Sequence, residues 1–161
     1  TAAMRAHAIL PAMTGDQRRH FEDIQVGEEY ESPGRSVTEA DIVIFAGLSG
    51  DYNVLHTDAE FMKSSIFGER IAHGLLGLSI QSGLLTRGMR PYATIAFLGL
   101  RWKFKGPIKI GDTIRVRAKV AGKKETGKPD RGIVTLFRQV LNQRGEVVQE
   151  GETDIMVARR P

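Results

Sequence analysis

The second half of the chain is written in period two. Ala93 to Phe104, Asp112 to Lys124, Arg131 to Asn142 and Glu146 to Ala158 are rich in Val, Ile, Thr and aromatic residues, the composition of a half-buried pleated strand. Turn signals separate them: Gly106-Pro107, Gly111-Asp112, Gly127-Lys128-Pro129-Asp130 and Asn142-Gln143-Arg144-Gly145. The pattern predicts four long strands joined by hairpins. With an extended stretch from Glu28 to Val37 they make about five strands, all antiparallel. Such a sheet must bury its apolar face against something. The chain offers one candidate, His73 to Leu85, which is apolar on nearly every side and reads as a buried helix. Glycine inside a helix costs ~1 kcal/mol relative to Ala, so Gly77 and Gly83 predict close packing there. The fold class is therefore α+β, a curved antiparallel sheet against one long helix.

Before that helix the signals are local. Thr38 reads as a helix N-cap, with Glu39 and Asp41 in the first turn where the helix dipole favours carboxylates. Ile42, Phe45, Ala46 and Leu48 share one helical face, and Gly50 ends the helix. A polar loop runs from Asp51 to Thr57, and Asp58 can cap a short helix through Phe61 and Met62. Residues 1–20 read as a flexible leader, and 21–161 as a single domain.

The chain has no cysteine, which excludes zinc–thiolate sites, redox disulfides and cysteine nucleophiles. No spacing matches a zinc, phosphate-loop or dinucleotide motif, and no metal is expected. No apolar stretch reaches the ~20 residues that span a bilayer, and a cytoplasmic location without membrane partners is expected. The net charge of +4 conceals an asymmetry. Phe21 to Glu69 has only Arg35 and Lys63 as cations, whereas Arg101 to Arg144 holds thirteen Lys and Arg against Asp112, Glu125 and Asp130. A basic half is first a solvated strand face. Its functional reading is a polyanionic ligand. Aromatics are sparse in it, and no stacking platform for nucleic acid is evident.

The chemistry concentrates in Ser49-Gly50-Asp51-Tyr52-Asn53-Val54-Leu55-His56. The spacing lets a short loop turn Asp51 and His56 toward one point, with Asn53 bonding across the loop. A histidine titrates near neutrality, and a carboxylate can hold it or share proton transfer. His73-Gly74 then enters the buried helix. The first N–H groups of a helix lack internal partners and suit a developing oxyanion, and glycine allows a close approach. Each feature also has a plainer reading. Asp-x-Asn with a nearby His is usually a capped turn, His73 a structural histidine, Ser82 a small packing residue, and Trp102 and Phe104 core or interface aromatics.

The run from Phe45 to His56 closely resembles the signature of the MaoC-like dehydratases, the (R)-specific enoyl-CoA hydratases, and Ala72-His73-Gly74-Leu75 is similar to a second block of that family. The resemblance covers about Phe21 to the C-terminus. It implies the hotdog fold, with Leu75 to Thr86 as the central helix. It implies that Asp51 and His56 jointly activate water, that the Gly74 N–H binds the thioester oxygen, that Asn53 orients the loop, and that Ser82 lies near the catalytic Asp. Water would add reversibly across C2=C3 of a trans-2-enoyl thioester. No cofactor is implied beyond coenzyme A as part of the substrate, with Lys103, Lys105 and Lys109 as candidates for its phosphates. A homodimer, or an assembly of dimers, with sites at the protomer interface is also implied. Two positions depart from the signature: Val54 replaces a proline, and Met62 a small residue, which bears on the shape of the acyl pocket. Two alternatives stay open, a hotdog thioesterase and a non-catalytic acyl-CoA-binding regulatory protein.

Overall fold

A computed structural model describes residues 17–87 and 90–161. After a 3-10 turn at Phe21–Asp23, the described residues form two short strands, β1 (Glu29–Glu31) and β2 (Arg35–Ser36), then four α-helices, α1 (Glu39–Ser49), α2 (Val54–Thr57), α3 (Ala59–Lys63) and α4 (Gly74–Leu85), and then four long strands, β3 (Thr94–Phe104), β4 (Thr113–Glu125), β5 (Arg131–Leu141) and β6 (Val147–Ala158). The sheet runs β1-β4-β5-β6-β3, with β2 also on β4, and every pairing is antiparallel.

The sheet has two differences from the sequence reading. The extended stretch before α1 is split into β1 and β2 at Ser32-Pro33-Gly34, where the Ser32 hydroxyl takes over a ladder bond by accepting the Val116 N–H at 2.9 Å. Proline has no N–H to give the ladder there. More importantly, β3 and β4 are not a hairpin: β3 pairs with β6 and β4 with β5. The two glycine turns between them bracket a segment that packs on the approach to α4. Ala72 N–H donates to Ile108 O at 2.8 Å, and Ile71 bridges Lys109. That segment carries buried Ile108 into the core.

The core forms where α4 lies on the inner face of the sheet. Leu76, Ile80 and Leu84 pack with Val116, Val140 and Val148. Gly77 is needed for that contact, since a Cβ there would sit 2.6 Å from Ile108 Cδ1 and would also strike the Gln149 amide. Gly83 has open space around it, so the close packing expected there is absent. Helix α1 is capped as read: Asp41 Oδ2 accepts the Thr38 N–H at 2.8 Å, and Gly50 ends it with φ of 75°.

The leader expected over residues 1–20 falls mostly outside the described residues, but its described end is fixed. Arg19 N–H donates to Pro91 O, Ala93 N–H to Arg19 O, and the Arg19 guanidinium pairs with Glu28 at 2.6 Å. Among the described residues, no helix is long and apolar enough to cross a membrane.

Candidate active site

The polar loop after α1 is built from hydrogen bonds between residues two apart in sequence. Gly50 turns the chain, and the Ser49 hydroxyl then accepts the Asp51 N–H at 3.2 Å. Asp51 Oδ1 accepts the Asn53 N–H at 3.2 Å, and Asn53 Oδ1 caps α2 by accepting the Leu55 N–H at 3.1 Å. The segment read as a loop thus contains one helical turn, and that turn carries His56 inward. His56 is buried, whereas Asp51 is exposed. Val54 begins the turn that Asn53 caps, so the loop is shaped by hydrogen bonds where proline is missing. Met62, the other departure, is fully buried on α3.

Tautomers follow from the partners. His56 Nδ1 lies 2.7 Å from Ile71 O, and His73 Nε2 lies 2.9 Å from Asp51 O. A carbonyl oxygen only accepts, so both of these nitrogens carry protons. In the neutral rings, His56 Nε2 and His73 Nδ1 are therefore bare, and His73 Nδ1 is buried without a partner. The two imidazoles stack with centroids 3.8 Å apart. One ligand atom each from Asp51, His56 and His73 lies within 4.8 Å of the others, so the same three groups could hold a cation.

His73 has a structural role, as read from sequence, but with partners distant in the chain. It ties the carbonyl of Asp51 to the start of α4 and backs the His56 ring. The contact spans 22 residues, and no local spacing could have shown it.

Gly74 opens α4. The first intrahelical bonds are those of Leu76 and Gly77 N–H to His73 O, so the Gly74 and Leu75 amides have no acceptor within the helix. Gly74 and His56 line one cavity of about 460 Å³ with Leu55, Ile71, Phe104 and Lys105. The Phe104 ring lies on the glycine, 2.9 Å from where a Cβ would be. The Gln149 amide fixes the same corner, donating to Gly74 O at 3.0 Å while its Oε1 accepts Trp102 Nε1–H at 3.1 Å. Sequence reasoning missed Gln149. A polar residue at an inward position of β6 was the available signal.

The remaining candidates divide. Ser82 lies farther along α4 and lines a different cavity, away from the Asp51 loop within the protomer. Of the three lysines only Lys105 borders the His56–Gly74 cavity, and it pairs with Glu150 at 3.0 Å. Lys109 is held by Glu69 at 2.8 Å, and Lys103 lies in a shallow groove with Arg101 and Phe137.

Residues 22–139 match the MaoC-like domain family. An (R)-specific enoyl-CoA hydratase of Rhodospirillum rubrum is 38% identical over 88% of this chain and 93% of its own length. The solved MaoC-like dehydratase of the same organism superposes with a TM-score of 0.80 at 35% identity, over 88% of this chain and 98% of that one. An (R)-hydratase from A. caviae, described as involved in PHA biosynthesis, superposes at 0.71 with 30% identity, over 87% and 99%. A Mycobacterium tuberculosis protein described as a double hotdog fold shares the fold at 0.75 and 21% identity, over 92% of this chain and 46% of that one. The fold is a hotdog, an antiparallel sheet wrapped on α4. The chain belongs to the MaoC-like dehydratase family.

Proposed function

We propose that this chain is an (R)-specific enoyl-CoA hydratase, acting in reverse as a 3-hydroxyacyl-CoA dehydratase. The observation that carries the reading is the approach of Asp51 to within 4.8 Å of a His56 whose Nδ1 is committed to Ile71 O and whose ring lines a cavity with Gly74. His56 Nε2 is left as the base, and the Asp51 carboxylate shares the attacking water with it. The water oxygen bonds C3 as the C2=C3 electron pair moves toward the thioester. The oxygen that gains charge is received by the Gly74 N–H at the start of α4. The proton taken from water is returned to C2 on the same face. Lys105 is the cation placed to meet a coenzyme A phosphate. Two copies pair through the open edge of β3, which makes the active assembly a homodimer.

Crotonyl-CoA tests the function directly. The enoyl absorbance should fall without release of free thiol, and the product should be oxidised by an (R)-specific 3-hydroxyacyl dehydrogenase. Asp51→Asn and His56→Ala should each lower turnover by ~10²–10⁴-fold, and their losses should not multiply because they serve one step. Thiol release would make the protein a thioesterase. An (S) product, or near-wild-type turnover in either single variant, would remove the assignment.

A further inference from the structure

The second cavity, about 400 Å³, lies against the C-terminal half of α4. That is within the usual range for a small-molecule site. Its wall is mostly apolar: Leu85, Phe97, Leu136 and Ile155 line it together with Ser82 and Tyr92. Into this wall the sheet places Arg138, an inward position of β5 between Leu136 and Val140.

Arg138 is 6% exposed, and its Nε has no hydrogen-bond partner. No carboxylate among the described residues pairs with it. The other charges of the lining are spent: Arg19 pairs with Glu28 at 2.6 Å, and Lys119 with Glu29 at 3.3 Å. These two pairs cancel and leave the Arg138 guanidinium as the one uncompensated charge among the described residues of the lining. Burial pulls it down to about 10, against only a small opposing pull from Tyr92. Thr153 stands diagonal to Arg138 on the same inner face, opposite Leu136, and its hydroxyl is likewise buried without a partner. A buried charge without a counter-ion is costly to a folded protein, and a guanidinium matches a carboxylate in geometry as well as charge.

We propose that this cavity binds a carboxylate through Arg138, and that the thioester substrates of this protein carry a second, distal carboxylate on the acyl group. The assignment of substrate class rests on the hydratase reading above; the binding of a carboxylate does not. Helix α4 links the two sites. Ser82 is eight residues beyond Gly74, a rise of about 12 Å along the helix. An acyl chain of about ten carbons, advancing roughly 1.25 Å per bond, is what would carry a distal group that far from a thioester at Gly74.

Two arms separate the claims. In the first, kcat/KM is compared for trans-2-decenoyl-CoA and for the enoyl thioester of the same length ending in a carboxylate. The wild type should favour the carboxylated substrate, and Arg138→Leu should lower that ratio by about 10- to 100-fold, the scale of one charge-assisted hydrogen bond. Arg138→Met, which keeps the unbranched stem, is the companion variant should Leu not fold. In the second arm, free hexanoate should raise the Tm of the wild type where hexan-1-ol does not, and should lose that effect in the variant. A ratio unmoved by either variant, with a hexanoate shift that survives in both, overturns the proposal. Dissociation of the assembly in both variants would also overturn it, by giving the guanidinium a partner in a second copy. If no enoyl thioester is hydrated but the hexanoate shift depends on Arg138, the hydratase reading falls and the carboxylate site stands.

Discussion

At Gly74 the absence of a side chain has two consequences that can be separated. It leaves the first amide of α4 open to the cavity, and it makes room for the Phe104 ring, whose Cδ1 and Cε1 would lie 2.9 Å from a Cβ. Phe104 is half-exposed and can swing, so Gly74→Ala should fold, while the branched side chain of Gly74→Val should fill the approach to the amide. We expect Gly74→Val to lose ~10²–10³-fold, mainly in kcat, because the oxygen carries most charge in the transition state. Melting temperature read alongside kinetics controls for damage to the helix start. A folded Gly74→Val with wild-type kcat would place the oxyanion elsewhere. That Asp51 and His56 approach each other and that Gly74 opens a helix follow from local spacing, five residues from Asp to His and a glycine at a helix start, while their roles in the reaction came only with the family resemblance. The contacts of His73, Gln149 and Phe104 were not legible in the sequence, because they join residues far apart in the chain. Ser82 lines the second cavity. Helical spacing gives its face of α4 but not what that face meets.

At the scale of elements, the strands, the capped helix α1 and the central helix were readable, since each depends on a local period or a cap. Strand order was not. The glycine turns at 106–107 and 111–112 look like hairpin signals, yet they hold a crossover, and what anchors it is one side chain. Asp112 is buried; its Oδ2 accepts the Lys109 N–H at 2.9 Å, while Oδ1 accepts from Gln143 at 2.7 Å and Arg144 at 3.2 Å. It therefore ties the crossover to the β5–β6 turn. Burial works to raise its pKa, but these bonds outweigh it and hold the carboxyl below the ordinary 3.8. A lowered pKa means the folded state favours the charged form. Its contribution is complete above the unfolded value and is lost as pH falls through the folded one. Asp112→Asn should cost about 1–3 kcal/mol at neutral pH, the range for a lost charged hydrogen bond. Thermal melts between pH 7 and pH 2 should show the wild type losing its advantage over the variant below about pH 4. Two parallel curves would show that the charge of Asp112 contributes nothing.

For the whole molecule, the basic half and the long third strand matter together. Several of the basic residues lie on strands and answer carboxylates beside them: Arg101 meets Glu152, Arg115 and Arg117 meet Glu31, and Lys119 meets Glu29. Part of the charge asymmetry of the sequence is thus taken up in cross-strand pairs between β4 and β1. Strand β3 is different. It ends the sheet, and Ile95, Phe97, Leu98, Leu100 and Phe104 on it are between 41% and 58% exposed. An isolated edge of this length and apolarity would template aggregation, so a partner strand is the physical expectation. Its position also couples assembly to function. Thr94 and Phe97 border the Arg138 cavity, and Phe104 at the other end borders the His56–Gly74 cavity. Ile95→Glu with Leu98→Glu places two charges on the edge without touching either lining. Light scattering after size exclusion should find a dimer for the wild type and a monomer for the double variant. Hydration should fall with dissociation, because Phe104 and Phe97 lose the strand that holds β3 in place. A wild type that is monomeric at micromolar concentration, or a double variant that remains dimeric and fully active, would mean that β3 is not the interface.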